Sequence, residues 1–336
     1  MFKDVIIRSS GRYFPERVFT NKEFEAFLDT SDDWIVERTG IKERHLAAPG
    51  EHVSDMALKA SQQCLERAGV DSDDIELIIV GTVTPDTIFP ATAHWLQGKL
   101  GNKRAWGFDL NAGCSGYVYS LNTAYNMLKN GQHRYALVVG AEKMTALSDM
   151  TNRDHCVLFG DGAACLLLEA VDPADNPNGW GIKDFYVQSD GSLGEILMQS
   201  AGGSSHPPTY HTIRNHMHFV EMQGQPVFKN AVRRMYQSVM QVLEQVNVAP
   251  EEIDWFIGHQ ANARIITATQ RRLGVPEEKV YINVDRYGNT TAATIPCCLD
   301  ELATEGKLVA GQKVVLFTFG TGFTWGSTYL VWGETK

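Results

Sequence analysis

The segment DDIELIIVGT at residues 73–82 has a counterpart later in the chain, EEIDWFIGHQ at residues 251–260. In each segment two acidic residues precede a short apolar run. Such a run is typical of a strand buried on both faces of a parallel sheet. The chain therefore contains the same kind of strand twice, once in each half.

The similarity continues on the C-terminal side of both segments. Each is followed by a predicted helix ending in Leu-Gly, an apolar strand ending in Asp, a second helix, and an apolar strand ending in Gly. These landmarks lie at Leu100-Gly101, 107–114 (GFDLNAGC) and Gly140, and again at Leu273-Gly274, 282–289 (INVDRYGN) and Gly320. Four landmarks in the same order indicate an internal duplication, with the first half at residues 1–175 and the second at 176–336.

The patterns between the strands are helical. Apolar residues recur at helical spacing in the stretches 53–68 and 227–246. Strands that alternate with helices predict an α/β protein whose parallel sheets are covered by helices. With the duplication, the prediction becomes two parallel-type sheets layered with helices in the order αβαβα. Matching loops of the two halves should meet near a pseudo-two-fold axis.

Composition excludes several classes of protein. The chain has 336 residues, 43% hydrophobic and 21% charged, so disorder and fibrous repeats do not fit. Its 30 Lys and Arg against 40 Asp and Glu give a net charge of −10, which argues against nucleic acid or an anionic membrane as the main partner. We expect no membrane span and no secretory leader. Six scattered cysteines indicate a reducing, cytoplasmic compartment.

Cys114 is the candidate nucleophile. It lies in NAGCSG (111–116), between a predicted strand at 106–110 and the start of a helix. The positive end of a helix dipole favours a thiolate, and the small neighbours let a substrate carbonyl approach closely. The alternative is a small apolar core residue, the usual role of a free cysteine. That role is expected for the other cysteines: Cys64, Cys156, Cys165, Cys297 and Cys298.

Two polar residues follow strands of the second half. His259 comes directly after the predicted strand 253–257, and Asn289 follows a predicted strand at 281–284. The carboxyl ends of parallel strands are where α/β folds build sites. By the duplication, the Asn289 loop corresponds to the Cys114 loop, so the two should face each other. Each residue could instead be a turn or capping residue; together they suggest a Cys–His–Asn set.

At this point the sequence resembles a known family, β-ketoacyl-acyl-carrier-protein synthase III of the thiolase superfamily. The resemblance covers essentially the whole chain, and Asn289 matches this branch rather than the elongating synthases, which have a second His there. The matching motifs are DTSDDWIVERTGIKERH (29–45), NAGCSG (111–116), FGDGAA (159–164), GHQANARI (258–265), YGNTTAATIP (287–296) and FGTGFTWGS (319–327). The implied fold is the duplicated thiolase-like one.

The resemblance implies a two-stage reaction. The Cys114 thiolate takes the acyl group of an acyl-CoA primer, and CoA leaves. Malonyl-ACP (acyl carrier protein) then loses carbon dioxide, while His259 and Asn289 donate hydrogen bonds to its thioester oxygen. For that donation His259 should be uncharged and protonated on Nε2. The resulting carbanion attacks the acyl-Cys114 carbonyl, and no metal or organic cofactor is required.

The family also implies which residues support this chemistry. The oxyanion hole would be formed by the backbone N–H groups of Cys114 and Thr321. Thr321 stands where the family has a glycine; its N–H survives the change, but the added side chain can restrict the loop. The CoA arm would contact Thr30, Trp34, Arg38, Arg153 and Asn262, with the adenine held between Trp34 and Arg38.

Two partner surfaces follow from the same resemblance. The family is a homodimer in which the residue matching Phe89 reaches across into the acyl pocket of the partner. An acidic carrier protein needs a basic patch on a chain of net charge −10. The helix after His259 offers Arg264 and Arg271, which are seven residues apart and share a face, with Arg272 adjacent.

Several alternatives stay open. Cys–His–Asn in this chain order also occurs in papain-like hydrolases, although these lack the duplicated α/β pattern. A non-catalytic scaffold is conceivable, but all three polar residues are present. Within the family, relatives make starters for secondary metabolism, and the catalytic residues do not separate them. Primer length and branching are undetermined, as is the role of the His-rich stretch 199–225, for which metal binding is a weak alternative.

Overall fold

The computed structural model describes residues 2–335, which form thirteen strands and ten helices. The strands are β1 (Asp4–Tyr13), β2 (Arg17–Thr20), β3 (Glu43–Leu46), β4 (Leu77–Gly81), β5 (Trp106–Leu110), β6 (Tyr135–Lys143), β7 (Asp161–Val171), β8 (Gly181–Ser189), β9 (Leu197–Gln199), β10 (Val220–Met222), β11 (Trp255–Gly258), β12 (Lys313–Gly320) and β13 (Thr324–Val331). The helices are α1 (Asn21–Phe24), α2 (Asp32–Thr39), α3 (Val53–Ala68), α4 (Thr92–Leu100), α5 (Gly116–Lys129), α6 (Tyr210–Arg214), α7 (Gly224–Val246), α8 (Ala263–Leu273), α9 (Val284–Tyr287) and α10 (Thr294–Thr304).

Two large sheets repeat one topology. The first has the strand order β1-β7-β6-β4-β5, and the second has the order β8-β13-β12-β11. In both sheets the strand that opens the half lies at one edge, beside the strand that closes it. The correspondence between the sheets supports the duplication inferred from the sequence. The division between residues 175 and 176 stays a prediction, with β7 ending before it and β8 beginning after it.

Helices fill the spaces around both sheets. The central layer is α5 with α10, whose apolar residues pack against one face of each sheet. The opposite face of the first sheet is covered by α3 and α4, and that of the second by α7 and α8. The layering is therefore αβαβα, as predicted, and α5 and α10 meet both sheets at the centre of the protein.

The sheets are mixed rather than purely parallel, which corrects one part of the prediction. In the first sheet β4 pairs in parallel with β5 and β6, but β7 pairs antiparallel with β6 and β1. In the second sheet only β11 and β12 are parallel. For β12 and β13 the reason is the connection between them. A short turn joins these two strands, and a parallel pair needs a longer crossover.

A second correction concerns residues 281–284. The predicted strand is reduced to one bridge, between Val280 and Phe256 in β11. Asn283 precedes the first turn of α9, so the chain leaves the sheet there. The Asn283 side chain donates to Glu301 at 2.8 Å. This bond to α10 favours the turn over longer pairing with β11.

The His-rich stretch forms a projecting hairpin. Strands β9 and β10 pair antiparallel, and the residues between them include the short helix α6. We call residues 197–222 the flap. No group of three or more metal-ligating side chains is present among residues 2–335. His216 instead contacts Asp149, with 2.8 Å between Nδ1 and Oδ2.

Two further features follow from burial. All six cysteines are unpaired, and every one except Cys114 is fully buried. This agrees with the core role expected for the other five. No helix of the described chain combines the length and the apolar character that crossing a bilayer requires.

Candidate active site

Cys114 lies where the chain turns from strand to helix. Strand β5 ends at Leu110, and one turn of 3-10 helix, Gly113–Ser115, leads into α5. The small residues around the cysteine allow this sharp junction next to the central helix. The side chain is half-buried and faces a cavity.

The cavity has a volume of about 610 Å³ and reaches from the protein surface to Cys114. Its walls are largely apolar and come from both halves and from the flap. Residues proposed from the sequence that line it are Trp34, Arg38, Cys114, His259, Asn262, Arg264, Asn289 and Thr321. Those that lie outside it are Thr30, Phe89, Arg153, Arg271 and Arg272. The nucleophile candidate and both donor candidates therefore share one cavity.

His259 is held at the end of β11. Its backbone N–H donates to the carbonyl oxygen of Phe317 at 2.9 Å, and its Nδ1 lies 2.7 Å from Oγ1 of Thr294. The other ring nitrogen, Nε2, is buried and has no hydrogen-bond partner among residues 2–335. Burial lowers the pKa of His259 to about 3, so the imidazole is neutral at physiological pH.

The neighbours of Thr294 decide which nitrogen carries the proton. The Thr294 hydroxyl lies 2.9 Å from the carbonyl oxygen of Thr291, which can only accept a hydrogen bond. When the single hydroxyl proton goes to Thr291, Nδ1 of His259 donates to Thr294. In this arrangement Nε2 presents a lone pair. In the opposite tautomer the ring proton is on Nε2, and the Thr294 hydroxyl then donates to the lone pair of Nδ1.

Asn289 is fixed through its backbone and one side-chain atom. Its N–H donates to the Leu158 carbonyl at 2.8 Å, and its Oδ1 accepts the N–H of Thr291 at 2.9 Å. Thr291 adopts a φ of +49°, a region that β-branched residues rarely occupy. Because Oδ1 is engaged, the amide NH₂ of Asn289 is the group available to donate.

The pKa of Cys114 does not follow the sequence-based expectation. Burial raises it to about 12, and the carboxylate of Glu142 adds to the increase. Contact with the Thr291 hydroxyl acts in the opposite direction but is weaker. The dominant cause is desolvation of the charged form, so the side chain is a thiol at neutral pH despite its place before a helix.

This state predicts how Cys114 reacts with alkylating agents. The thiolate fraction rises about tenfold per pH unit below the pKa. The rate of alkylation by iodoacetamide should therefore keep rising from pH 6 to 9, less steeply near pH 7 where Glu142 becomes charged, and with no plateau. The rate is measured from the intact mass and the modified peptide. A plateau near pH 7 would mean that the helix N-terminus outweighs burial.

The backbone N–H groups of Cys114 and Thr321 belong to two loops that meet closely. A Cβ atom on Gly320 would be 2.6 Å from the nitrogen of Cys114, and one on Gly113 would be 2.9 Å from the nitrogen of Thr321. Both loops approach this closely only because glycine occupies those positions, and Gly113 has a φ of +55°. The pair can form an oxyanion hole, and the threonine does not remove the second donor.

The proposed CoA contacts cluster at the outer end of the cavity. The Arg38 guanidinium lies 4.4 Å from the ring centre of Trp34, and that of Arg153 lies 5.2 Å from it. Arg153 also bonds to the backbone and side chain of Asp29. An adenine can enter between Trp34 and Arg38 only if the guanidinium moves, since the two groups are already in contact.

Two other proposed contacts have local roles. Asn262 caps α8, accepting the Arg264 N–H at 2.9 Å, and donates to the carbonyl of Arg38 at 3.0 Å. It thereby joins α2 to α8 at the cavity mouth. Thr30 has a buried hydroxyl without a partner among the described residues. Thr30 lies outside the cavity lining, so its contact with CoA stays a prediction from the resemblance.

The proposed partner surfaces are exposed. Arg264, Arg271 and Arg272 project from α8, and none of them has a carboxylate within 4.0 Å in residues 2–335. Arg272 instead lies over the ring of Tyr236. Phe89 is 85% exposed and Ile88 is 81% exposed, so neither packs into this chain.

Two residues of the site were missed by the sequence analysis. Thr294 lies inside the motif YGNTTAATIP, and its position five residues after Asn289 was the available signal. Glu142, at the end of β6, is fully buried beside Cys114 and accepts from the hydroxyls of Thr82 and Thr84. Burial raises the pKa of Glu142 to about 7. Nothing in its local sequence distinguishes it from a solvated residue.

The arrangement suits acyl transfer. It offers a sulfur nucleophile, two backbone N–H donors for a tetrahedral oxyanion, a neutral imidazole and an amide donor, all in a largely apolar cavity. Neutral donors in such surroundings stabilise a developing enolate without forming a permanent ion pair. The long apolar walls provide room for an acyl chain and for a pantetheine arm.

Comparison with family models gives two matches. The model described as 3-Oxoacyl-[acyl-carrier-protein (ACP)] synthase III matches residues 108–191, and the model of its C terminal matches residues 243–332. Together they cover the Cys114 region and the region of His259 and Asn289.

Comparisons over the whole chain agree. The beta-ketoacyl-[acyl-carrier-protein] synthase III of Chlorobaculum tepidum is 45% identical over 97% of this chain and 98% of its own length. The crystal structure of 3-oxoacyl-[acyl-carrier-protein] synthase III from Aquifex aeolicus VF5 superposes with a TM-score of 0.90 at 38% identity, covering 98% of this chain and 100% of that one. The priming beta-ketosynthase of the R1128 polyketide biosynthetic pathway also superposes with a TM-score of 0.90, at 30% identity over 100% and 98% of the two chains.

Proposed function

The chain belongs to the 3-oxoacyl-[acyl-carrier-protein] synthase III family, and we infer that it is a condensing acyltransferase that initiates fatty-acid synthesis. An acyl-CoA primer and malonyl-ACP are converted to 3-oxoacyl-ACP, CoA and carbon dioxide. The observation that supports this most is the single cavity shared by Cys114, His259 and Asn289. The experiment that tests it is acylation by acyl-CoA followed by discharge with malonyl-ACP.

In the first stage, the sulfur of Cys114 attacks the carbonyl carbon of the acyl-CoA thioester. The negative charge on the carbonyl oxygen is stabilised by the N–H groups of Cys114 and Thr321. The bond from carbon to the CoA sulfur then breaks. The proton lost by the Cys114 thiol ends on the departing CoA thiol, so the exchange consumes no net base, and Nε2 of His259 can carry the proton between them.

In the second stage, malonyl-ACP enters the emptied arm of the cavity. Its terminal carbon–carbon bond breaks and releases carbon dioxide, and the electron pair passes to the thioester enolate. Nε2–H of His259 and the amide NH₂ of Asn289 donate to the enolate oxygen. The carbanion attacks the acyl-Cys114 carbonyl, and the carbon–sulfur bond breaks. The Cys114 thiolate that leaves takes up one proton from solvent, so the second stage consumes one proton.

The two stages use Nε2 of His259 in different ways, although loading does not require this residue. An Nε2 lone pair suits the proton transfer of the first stage, and an Nε2 proton suits the second. The Thr294 hydroxyl can support both, since it accepts from Nδ1 in one orientation and donates to it in the other. We propose no metal or organic cofactor, because loss of carbon dioxide itself generates the carbon nucleophile.

The carrier protein is proposed to dock on α8. Arg264 lines the cavity, and Arg271 and Arg272 follow it on the same helix. All three are exposed and free of carboxylate partners in the described chain. Complementary charge speeds encounter with an acidic protein and orients it.

Charge reversal should separate the two substrates. Arg271→Glu is expected to raise the KM for malonyl-ACP by about three- to tenfold. Arg271 lies outside the cavity, so acylation by acyl-CoA should keep its rate. Both steps are measured separately at low and high salt. Lys307→Glu is the control, since Lys307 is an exposed cation that follows α10 and is not part of α8. An equal effect of both reversals would contradict docking at α8.

A homodimer is proposed through the edge of the first sheet. Strand β5 forms that edge, and its first residue, Trp106, is 47% exposed. Ile88, Phe89 and Trp95 add exposed apolar surface from nearby in the chain. An exposed apolar edge strand is a template for pairing with another chain. A partner could then receive Phe89 in its acyl pocket.

Sedimentation equilibrium tests this assembly. The wild-type protein should have twice the chain mass of 37.3 kDa. Trp106→Glu should shift the equilibrium toward monomer, because it places a charge in a strand edge that the dimer would bury. Val309→Glu, which changes a half-exposed valine elsewhere, should stay dimeric. A monomeric wild-type protein at micromolar concentration would overturn the proposal.

The alternatives differ in how they are supported. The structural likeness to a priming polyketide synthase keeps a related starter-condensing role open. Such a role would use the same cysteine and differ in primer. A Cys–His–Asn hydrolase is not supported by any similarity found. The unpaired state of all six cysteines supports the expectation of a reducing, cytoplasmic compartment.

A further inference from the structure

We propose that the side chain of Thr321 couples the loop at residues 320–323, the oxyanion loop, to the part of the cavity wall formed by β9 and β10, the acyl wall. A bulky primer that displaces this wall would then also displace the N–H of Thr321, a donor to the oxyanion. The proposal rests on the function assigned above and concerns the side chain of a residue whose N–H is assigned there to the oxyanion hole. Thr321 acts here as a positioning residue that sets primer selectivity, beyond the donor role of its N–H.

The first observation is the hydrogen bond made by the Thr321 hydroxyl. It donates to the carbonyl oxygen of Leu197, the first residue of β9. Thr321 also lines the cavity together with Cys114 and Leu197. A glycine at position 321 would make no such bond. The threonine therefore adds a direct link between the loop above the nucleophile and the flap.

The second observation concerns the methyl group of Thr321. A Cβ atom on Gly113 would lie only 2.4 Å from Cγ2 of Thr321. The methyl group thus fills the space over Gly113, directly beside Cys114. The hydroxyl is bonded to Leu197 and the methyl group lies against Gly113, so the side chain is held on two sides. These contacts also fix the orientation of the backbone N–H of Thr321.

The third observation is that Leu197 belongs to the acyl wall. Leu197, Met198 and Gln199 of β9 line the cavity, as do Val220 and Met222 of its partner β10. A primer that presses on this wall displaces the Leu197 carbonyl. The Thr321 hydroxyl follows it, and the N–H at the same residue moves away from the thioester oxygen.

A second fastening lies further from the nucleophile. Asp190 and Phe323 exchange backbone hydrogen bonds, each of 2.8 Å. This pair joins the oxyanion loop to the segment that leads into the flap. Because it does not depend on Thr321, loss of the hydroxyl should loosen the coupling near Cys114 while leaving the loop attached. The hydroxyl can therefore be removed without unfolding the oxyanion loop.

The expected consequence is a change in the ratio of the loading rates of short and long primers. Well-fitting short primers leave the wall and the donor in place. Longer primers displace the N–H of Thr321, so their loading should show a lower kcat and a smaller change in KM. Without the hydroxyl, the acyl wall should move without moving the oxyanion loop. Longer primers should then be loaded while the N–H of residue 321 stays in place.

The experiment compares three variants in acyl loading by straight-chain acyl-CoAs of two to eight carbons. Thr321→Val keeps the shape and removes the hydroxyl, Thr321→Ser keeps the hydroxyl, and Thr321→Gly restores the family residue. Loading is followed by the intact mass in single turnovers. Thr321→Val and Thr321→Gly should reduce the wild-type preference for short over long primers about fivefold or more, the effect of one lost hydrogen bond. Thr321→Ser should retain the preference.

Hydrogen exchange gives a readout that does not depend on activity. Flap peptides within residues 196–222 should exchange faster in Thr321→Val than in wild type, and at the wild-type rate in Thr321→Ser. Unaltered selectivity and exchange in Thr321→Val, or an equal slowing of every primer, would overturn the proposal. A wild-type protein that takes no acyl group on Cys114 would instead overturn the assigned function, and this coupling with it.

Discussion

Cys114→Ser is expected to lose acyl loading by about a thousandfold or more. The serine hydroxyl is a far weaker nucleophile than a thiol, and its proton is held more tightly. The burial that raises the pKa of Cys114 to about 12 would act on an alkoxide as well. The measurement is the rate at which the intact protein gains the acyl mass from acyl-CoA.

A second cysteine provides the matched control for that variant. Cys156 is buried and lies outside the cavity lining. Cys156→Ala should therefore load at the wild-type rate, provided that its unfolding temperature shows a folded protein. Loading of Cys114→Ser at the wild-type rate would mean that another residue carries the acyl group, and the assignment of the nucleophile would be wrong.

His259→Ala and Asn289→Ala are expected to separate the two stages. Each should still take the acyl group, because loading exchanges one thiol for another and consumes no net base. Each should lower the condensation rate by about 100- to 1000-fold, the usual cost of removing one donor to a developing oxyanion. Loading is followed by intact mass, and condensation by carbon dioxide release from malonyl-ACP with preloaded enzyme.

Asn289→Asp sharpens this test. The aspartate keeps the shape of the side chain, and one oxygen can still accept the Thr291 N–H. The other oxygen replaces the NH₂ donor and places negative charge beside the enolate, so condensation should fall further than in Asn289→Ala. Normal condensation by His259→Ala, or by Asn289→Asp, would contradict the role of that residue as a donor to the enolate.

The neutral state of His259 adds a pH signature to these results. Its pKa is lowered to about 3 by burial, below the ordinary value for histidine. Between about pH 5 and 8 the imidazole should not titrate, so condensation should lack the transition near pH 6.5 that an ordinary histidine would give.

Much of this architecture was predictable because it depends on short-range patterns. The apolar runs at 75–80 and 253–257 predicted β4 and β11, whose observed bounds are Leu77–Gly81 and Trp255–Gly258. The helix at Val53–Ala68 was predicted at its observed bounds. The site followed from the same logic, since a duplication brings the loops of Cys114 and Asn289 together, and both line one cavity.

The remainder depends on contacts between distant residues. The turn at Asn283 is favoured by a bond to Glu301 in another helix, so the apolar run at 281–284 does not form the predicted strand. The pKa of Cys114 is set by burial and by Glu142, which reaches it from another strand. Likewise, the bond from Thr321 to Leu197 joins residues far apart in the chain. Local sequence carries no signal for any of these.

The most direct measurement follows one wild-type sample through both stages. The protein is incubated with acyl-CoA, its intact mass and proteolytic peptides are recorded, and malonyl-ACP is then added. We expect one acyl adduct, confined to the peptide containing Cys114, which disappears with release of an equal amount of carbon dioxide and formation of 3-oxoacyl-ACP. An adduct on any other residue, or an acyl-Cys114 that malonyl-ACP leaves in place or that water removes, would contradict the account.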